Sequence, residues 1–209
     1  MKKICLILTL AVVTTALSSD LRAQNVGRLW KPRRVEKGVS LAFSGATTWF
    51  ITEFYRIYLP LRPGSGWCAE FGYRWNRWLQ TYATATYTEH EPRSWWQWSG
   101  KYGFLAVELK AVVPLVRWRR VRPAAVFGYG KAVLKGEQEE LLGHTLSTGV
   151  LVEYFLTRRW TLGAEALVRY IDYTSVQYRV PGVRLSYGTV NGSHSVLLWL
   201  RLALHLGRI

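Results

Sequence analysis

Residues 194–206 read HSVLLWLRLALHL. Val196, Leu198, Leu200, Leu202, Leu204 and Leu206 fall on one side of a two-residue period, opposite Trp199, Arg201, Ala203 and His205. An amphipathic helix would bring apolar residues back every three or four positions, so alternation sustained over this length specifies a strand with two unlike faces. The apolar set is broad and uniform, whereas the other set carries an arginine and a histidine.

Working back along the chain, the same period recurs seven times. The first strand (38–47) sets Val39, Leu41 and Phe43 against Ser40, Ala42 and Ser44. The second (66–75) sets Trp67, Ala69, Phe71, Tyr73 and Trp75 against Cys68, Glu70, Gly72 and Arg74. The third (78–89) and fourth (101–113) repeat this, the fourth placing Leu105, Val107, Leu109, Ala111 and Val113 opposite Ala106, Glu108 and Lys110. The fifth (123–133) is rich in glycine, with Phe127 and Tyr129 facing away from Gly128 and Gly130. The sixth (145–156) and seventh (160–172) put Glu153, Glu165 and Arg169 on the sparse face. The quoted stretch is the eighth.

The connections alternate in length. Asn76-Arg77, Pro114–Arg122 and Thr157–Arg159 are the shorter ones, and 48–65, 90–100, 134–144 and 173–193 are long. Short turns at one end and long loops at the other, with an apolar outer face, describe an all-β, eight-stranded antiparallel transmembrane up-and-down β-barrel. Trp75, Trp78, Trp118 and Trp160 stand at the short-turn end, and Trp49, Trp67, Tyr87, Tyr102 and Tyr170 at the loop end. Two aromatic girdles are the pattern of interfacial belts. Eleven Trp and twelve Tyr in a chain with one Met supply them.

The N-terminus is expected to be a cleavable signal peptide, residues 1–23. Lys2 and Lys3 precede an apolar run from Ile4 to Leu17 and the small-residue exit Leu21-Arg22-Ala23, and that run is too short to span a bilayer as a helix. Cys5 lies too early for a lipoprotein cleavage site. Residues 24–37 form a basic N-terminal periplasmic segment and 38–209 the outer-membrane barrel. Cys68 is then the only thiol, and His90, His144, His194 and His205 are scattered, so neither a disulfide, a metal site nor a cofactor is expected.

The architecture over 38–209 resembles the OmpA/OmpX-type barrels of the bacterial outer membrane. The resemblance implies surface-exposed loops, periplasmic termini, and contact with outer-membrane lipids, lipopolysaccharide and the barrel assembly machinery. Such barrels usually end on an aromatic residue, where this chain has Leu206-Gly207-Arg208-Ile209.

The charges divide into two groups. Glu70, Glu108, Glu153 and Glu165 face inward with Arg74, Lys110, Arg169 and Arg201, four acids against four bases. A narrow lumen tolerates charge only in pairs, so these eight are expected to form a neutral network that plugs the barrel. The excess behind the net +15 gathers at the short-turn end. Arg28, Lys31, Arg33, Arg34, Lys37, Arg77, Arg117, Arg119, Arg120, Arg122, Arg158, Arg159 and Arg208 stand there against Glu36 alone. This periplasmic basic rim suits anionic inner-leaflet headgroups or an acidic periplasmic partner, and an exported chain meets too little nucleic acid for that to be the target. At the loop end Trp49, Tyr55, Trp95, Trp96 and Trp98 are candidates for contact with a ligand or surface partner, for packing over the barrel mouth, or for dipping into the outer leaflet beside lipopolysaccharide.

These features point to a non-enzymatic outer-membrane protein with a structural or surface-interaction role. A porin-like small-molecule channel is the alternative, and a lipid A-modifying enzyme a more distant one. The enzyme would need Ser, His and an acid on one accessible face. Ser193-His194-Ser195 is the nearest match, but the period turns His194 outward and Ser195 inward, with Glu153 and Glu165 both inward.

Overall fold

β-Branched, aromatic and leucine side chains at alternate positions suit a pleated backbone with one greasy face. In the computed structural model the described residues form nine strands: β1 (Lys37–Phe50), β2 (Gly64–Arg74), β3 (Gln80–His90), β4 (Tyr102–Pro114), β5 (Val121–Lys135), β6 (Glu139–Phe155), β7 (Trp160–Val180), β8 (Val183–Tyr187) and β9 (Val190–Arg208). The structure describes residues 37–51, 60–93, 100–116, 120–137, 139–157, 159–180, 183–187 and 190–208, without the side chains of 178–192 and 208. All lie in one compact unit, Arg33–Ile209. The expected signal peptide and all but the last residue of the basic segment lie outside the described residues.

Every neighbouring pair is antiparallel, and pairings β1–β9 and β6–β7 close the ring. β8 and β9 both pair with β7, Tyr187 opposite Val176 and Val190 opposite Tyr173. They are successive pieces of one stave, so the ring has eight positions. The hydrogen-bonded register followed once round the wall runs Phe50, Ser195, Arg169, Ser147, Gly128, Lys110, Tyr82, Gly72, Ser40. It returns to β1 ten residues from where it began. Ten residues of stagger over eight strands imply a tilt of about 40° and a backbone radius of about 8 Å. Side chains alone fill such a ring.

The two faces separate as the alternation requires. Leu109 is 72% exposed, Leu200 70% and Phe43 63%. Their inward neighbours Glu108, Arg201 and Ser44 are buried. An apolar outer wall around an interior that holds most of the buried charge inverts the arrangement of a water-soluble sandwich.

The structure departs from the sequence expectations at the strand ends. Residues 134–144 and 173–193 were expected as loops, yet β5 runs to Lys135, β6 begins at Glu139, and β7 continues to Val180 before pairing with β8. Above the wall the outward positions change from apolar to charged, with Lys135 opposite Glu140, while Leu134 and Leu141 still point inward. The period persists, but its outward half no longer reads as apolar. Trp49, expected in a loop, is a half-buried residue of β1 opposite Val196. A bulge at Thr174 resets the phase of β7, so Tyr173 and Val176 both turn inward. The expected two-residue turn Asn76-Arg77 is longer, 75–79, with the Asn76 side-chain Oδ1 accepting hydrogen bonds from the amides of Trp78 at 2.7 Å and Leu79 at 3.0 Å.

Candidate functional site: the filled lumen

The lumen is packed in layers. At the loop end, Tyr102, expected in the outer aromatic girdle, instead turns inward and forms a buried apolar cluster with Phe104, Leu134, Leu141, Ile171, Tyr173 and Leu61. Leu61 reaches it from the first loop, which is zipped to the second: Leu61 pairs with Pro92, the Arg62 amide donates to the Glu91 carbonyl at 2.8 Å, and the Arg93 amide donates to the Pro60 carbonyl at 2.7 Å. Deeper, Tyr82, Val112, Val126, Leu151, Leu167, Leu197 and Trp199 form a second cluster.

Charged side chains run between and below these clusters. Strand alternation points them all inward, and the stagger brings distant strands to one height. Arg169 on β7 crosses to β4, where it grips Glu108 through two parallel hydrogen bonds, Nε to Oε1 at 3.0 Å and Nη2 to Oε2 at 2.7 Å. Its guanidinium lies 5.5 Å from the Phe104 ring, under the loop-end cluster. This fork is the strongest form of ion pair and is fully removed from solvent.

A second, longer chain of charges fills the middle. Lys110 Nζ lies 3.0 Å from Glu165 Oε1, 3.4 Å from Glu70 Oε1 and 3.7 Å from the Trp199 ring centre. A Cβ at Gly128 would run into Ser147 Oγ and come within 3.2 Å of the Lys110 Cγ, so glycine leaves room for both side chains. Glu70 also accepts from Thr84 Oγ1 at 3.3 Å and makes a 3.0 Å charge contact with Arg201 Nε that is not aligned as a hydrogen bond. Arg201 stacks 4.8 Å from the Tyr82 ring and donates from Nη1 to Glu153 Oε1 at 3.2 Å. Gly163 makes space for it, since a Cβ there would sit 3.3 Å from the Arg201 Cγ. Glu153 in turn is held by Arg122, through Nε at 2.7 Å and through Nη2. Arg122 Nη2 also donates to Gln80 Oε1 at 2.6 Å.

The expected lumen charges thus gather into two clusters: Glu108 with Arg169, and Glu165, Lys110, Glu70, Arg201 and Glu153 in one chain. Arg74 is buried at the short-turn end, opposite Gln80 in the ladder. The chain ends on a residue the sequence analysis placed on the rim, Arg122, which is only 4% exposed. The described lumen thus holds five cations to four carboxylates, not the expected four to four. The signal was present: Arg122, Ala124 and Val126 continue the inward phase of Gly128 and Gly130, and a strand begun two residues earlier would have included it.

Because Lys110 has two carboxylates, Glu165→Leu leaves it one partner. The variant is expected to lose about 1–3 kcal/mol of stability, read as a lower melting temperature in detergent. An unchanged melting temperature would contradict the pairing.

The remaining candidates sort as follows. Arg120 on the rim donates from Nη1 to the Tyr154 hydroxyl at 3.2 Å, and Arg159 is exposed. Arg33, Arg34, Arg117, Arg119 and Arg158, and the loop aromatics Tyr55, Trp95, Trp96 and Trp98, lie outside the described residues. Ser193 and Ser195 are buried inward while His194 points outward, its ring 5.2 Å from and edge-on to Tyr170. The outward face near His194 does carry an acid, contrary to expectation. Asp172 lies two positions beyond Tyr170, in register with His144. Ser and His still occupy opposite sides of the wall. Among the described residues no three His, Cys, Asp or Glu side chains gather as a metal site.

A closed ring of eight staggered antiparallel strands defines the fold of the small outer-membrane β-barrels. Solved structures with this fold include Neisserial surface protein A, matched over 81% of this chain and 97% of its own at 16% identity and a TM-score of 0.50. The outer membrane protein OprG of Pseudomonas aeruginosa matches over 84% and 99%, at 12% identity and a TM-score of 0.52. No family model and no curated protein matches the sequence.

Proposed function

We propose that the chain is a bacterial outer-membrane barrel whose short turns and termini face the periplasm and whose lumen is plugged. It acts as a structural or surface-interaction protein, neither a conduit nor an enzyme. One observation carries this reading: a continuous chain of ion pairs from Arg122 through Glu153, Arg201, Glu70 and Lys110 to Glu165 lies across the lumen, every member nearly inaccessible to solvent. Opening a bore through it would strand charges in a poorly hydrated space at several kcal/mol each. The buried apolar cluster at the loop end, which Leu61 joins, supports closure from the outer side.

The apolar wall supports residence in hydrocarbon, and the fold shared with outer-membrane proteins supports that particular membrane. Interaction then belongs to the surfaces the lumen does not occupy. The rim, with Lys37, Arg77, Arg120 and Arg159 exposed, suits anionic headgroups or an acidic periplasmic protein, and the loop end faces lipopolysaccharide and surface partners. Osmotic swelling of proteoliposomes in glycine tests the plug. The expected swelling rate is that of protein-free vesicles, and porin-like influx would contradict it.

A further inference from the structure

One part of the outer wall is concave. An open trough of about 660 Å³ crosses the staves from β7 to β4. Phe43, Ala69, Ala85 and Val107 form one register row across it, and Leu204, Leu41, Phe71 and Ala83 the next, which begins at Trp160 on β7. Ala69, Ala83 and Ala85 are its floor, and Phe43 and Phe71 stand as ridges beside them. Five strand spacings give it a length of about 24 Å. Because the strands tilt, it climbs from the turn end at Trp160 to the middle of β4.

Its foot is charged. Arg159 adjoins Trp160 in the Thr157–Trp160 turn, and Lys37 lies on the outward face of β1, four residues toward the turn end from Leu41; both are exposed. We infer that this trough seats one acyl chain of an anionic phospholipid, with the headgroup phosphate held between Lys37 and Arg159. The inference rests on the orientation proposed above, which places the foot in the phospholipid leaflet. A second copy of the chain would bring an apolar wall to the trough, but a rim of like charge to the two cations, with Glu36 as its one acid. A phospholipid brings both in the right order: charge at the interface and a chain reaching toward the bilayer centre.

Native mass spectrometry of the folded full chain in detergent, with added dioleoyl phosphatidylglycerol, tests this. One lipid per barrel is expected to survive activation that strips the rest. Ala85→Trp, which fills the floor, should abolish that retention, whereas Leu146→Trp on the far wall should not. Both positions face outward, and folding is checked by gel mobility. Lys37→Gln with Arg159→Gln leaves the floor intact and should weaken retention roughly thirtyfold. Equal retention in wild type and Ala85→Trp would overturn the seat. A dimer mass abolished by Ala85→Trp would overturn the lipid in favour of a second copy. Preferential retention of lipopolysaccharide, still lost in Ala85→Trp, would overturn the orientation and with it the phospholipid assignment.

Discussion

Glu108→Leu is expected to destabilise the folded barrel by about 3–5 kcal/mol, because it leaves the fully buried Arg169 guanidinium without its carboxylate. The cost comes from the stranded cation, more than from the value of the pair itself. Two charges taken out of water together repay little more than their own desolvation, whereas one taken alone repays nothing. The double variant Glu108→Leu with Arg169→Leu should therefore recover most of the loss. Chemical unfolding of the three proteins in lipid vesicles separates these cases. A double variant as unstable as the single one would mean that Arg169 matters for packing on Phe104, and that the pair is incidental. Glu165→Leu should lose less, since Glu70 stays beside Lys110.

Leu109→Arg is the second large effect expected, at about 2–4 kcal/mol in vesicles. Among the described residues Leu109 is the most exposed large apolar side chain, and it lies near the middle of β4. On a soluble protein such a site would accept arginine within about 0.5 kcal/mol. In a lipid-facing wall the guanidinium must be dragged toward water from near the bilayer midplane. The size of the loss therefore reports what surrounds the barrel. A neutral result in vesicles would contradict a membrane-spanning wall.

The periodicity carried most of the fold. Over 194–206 of β9 and 67–74 of β2 the phase could be read directly, because leucine or aromatic residues at one parity faced Arg201, Ala203 and His205, or Cys68, Glu70, Gly72 and Arg74, at the other. The same contrast marked Glu70, Glu108, Lys110 and Arg201 as interior. Legibility ended where the contrast ended. In the β5–β6 hairpin the outward residues above the wall are charged, and in β7 past the bulge they are the polar Ser175 and Gln177, so strand looked like loop. Arg122 was misplaced because Pro114–Val121 offers no alternation from which to carry the phase, and an arginine beside Arg117, Arg119 and Arg120 reads as one more rim charge. Which charge meets which could not be read at all. Arg169 to Glu108 joins residues 61 apart on β7 and β4, and that match is set by the ten-residue stagger. Stagger is a property of the closed ring and leaves no mark in any single strand.

Single-channel recording in a planar bilayer tests the plugged lumen most directly. Purified wild-type protein is predicted to show a silent baseline, or at most rare small flickers, at moderate voltage in molar salt. Steady, ion-selective openings would contradict the account, because ions could then cross only if the chain of pairs from Arg122 to Glu165 were open in the membrane.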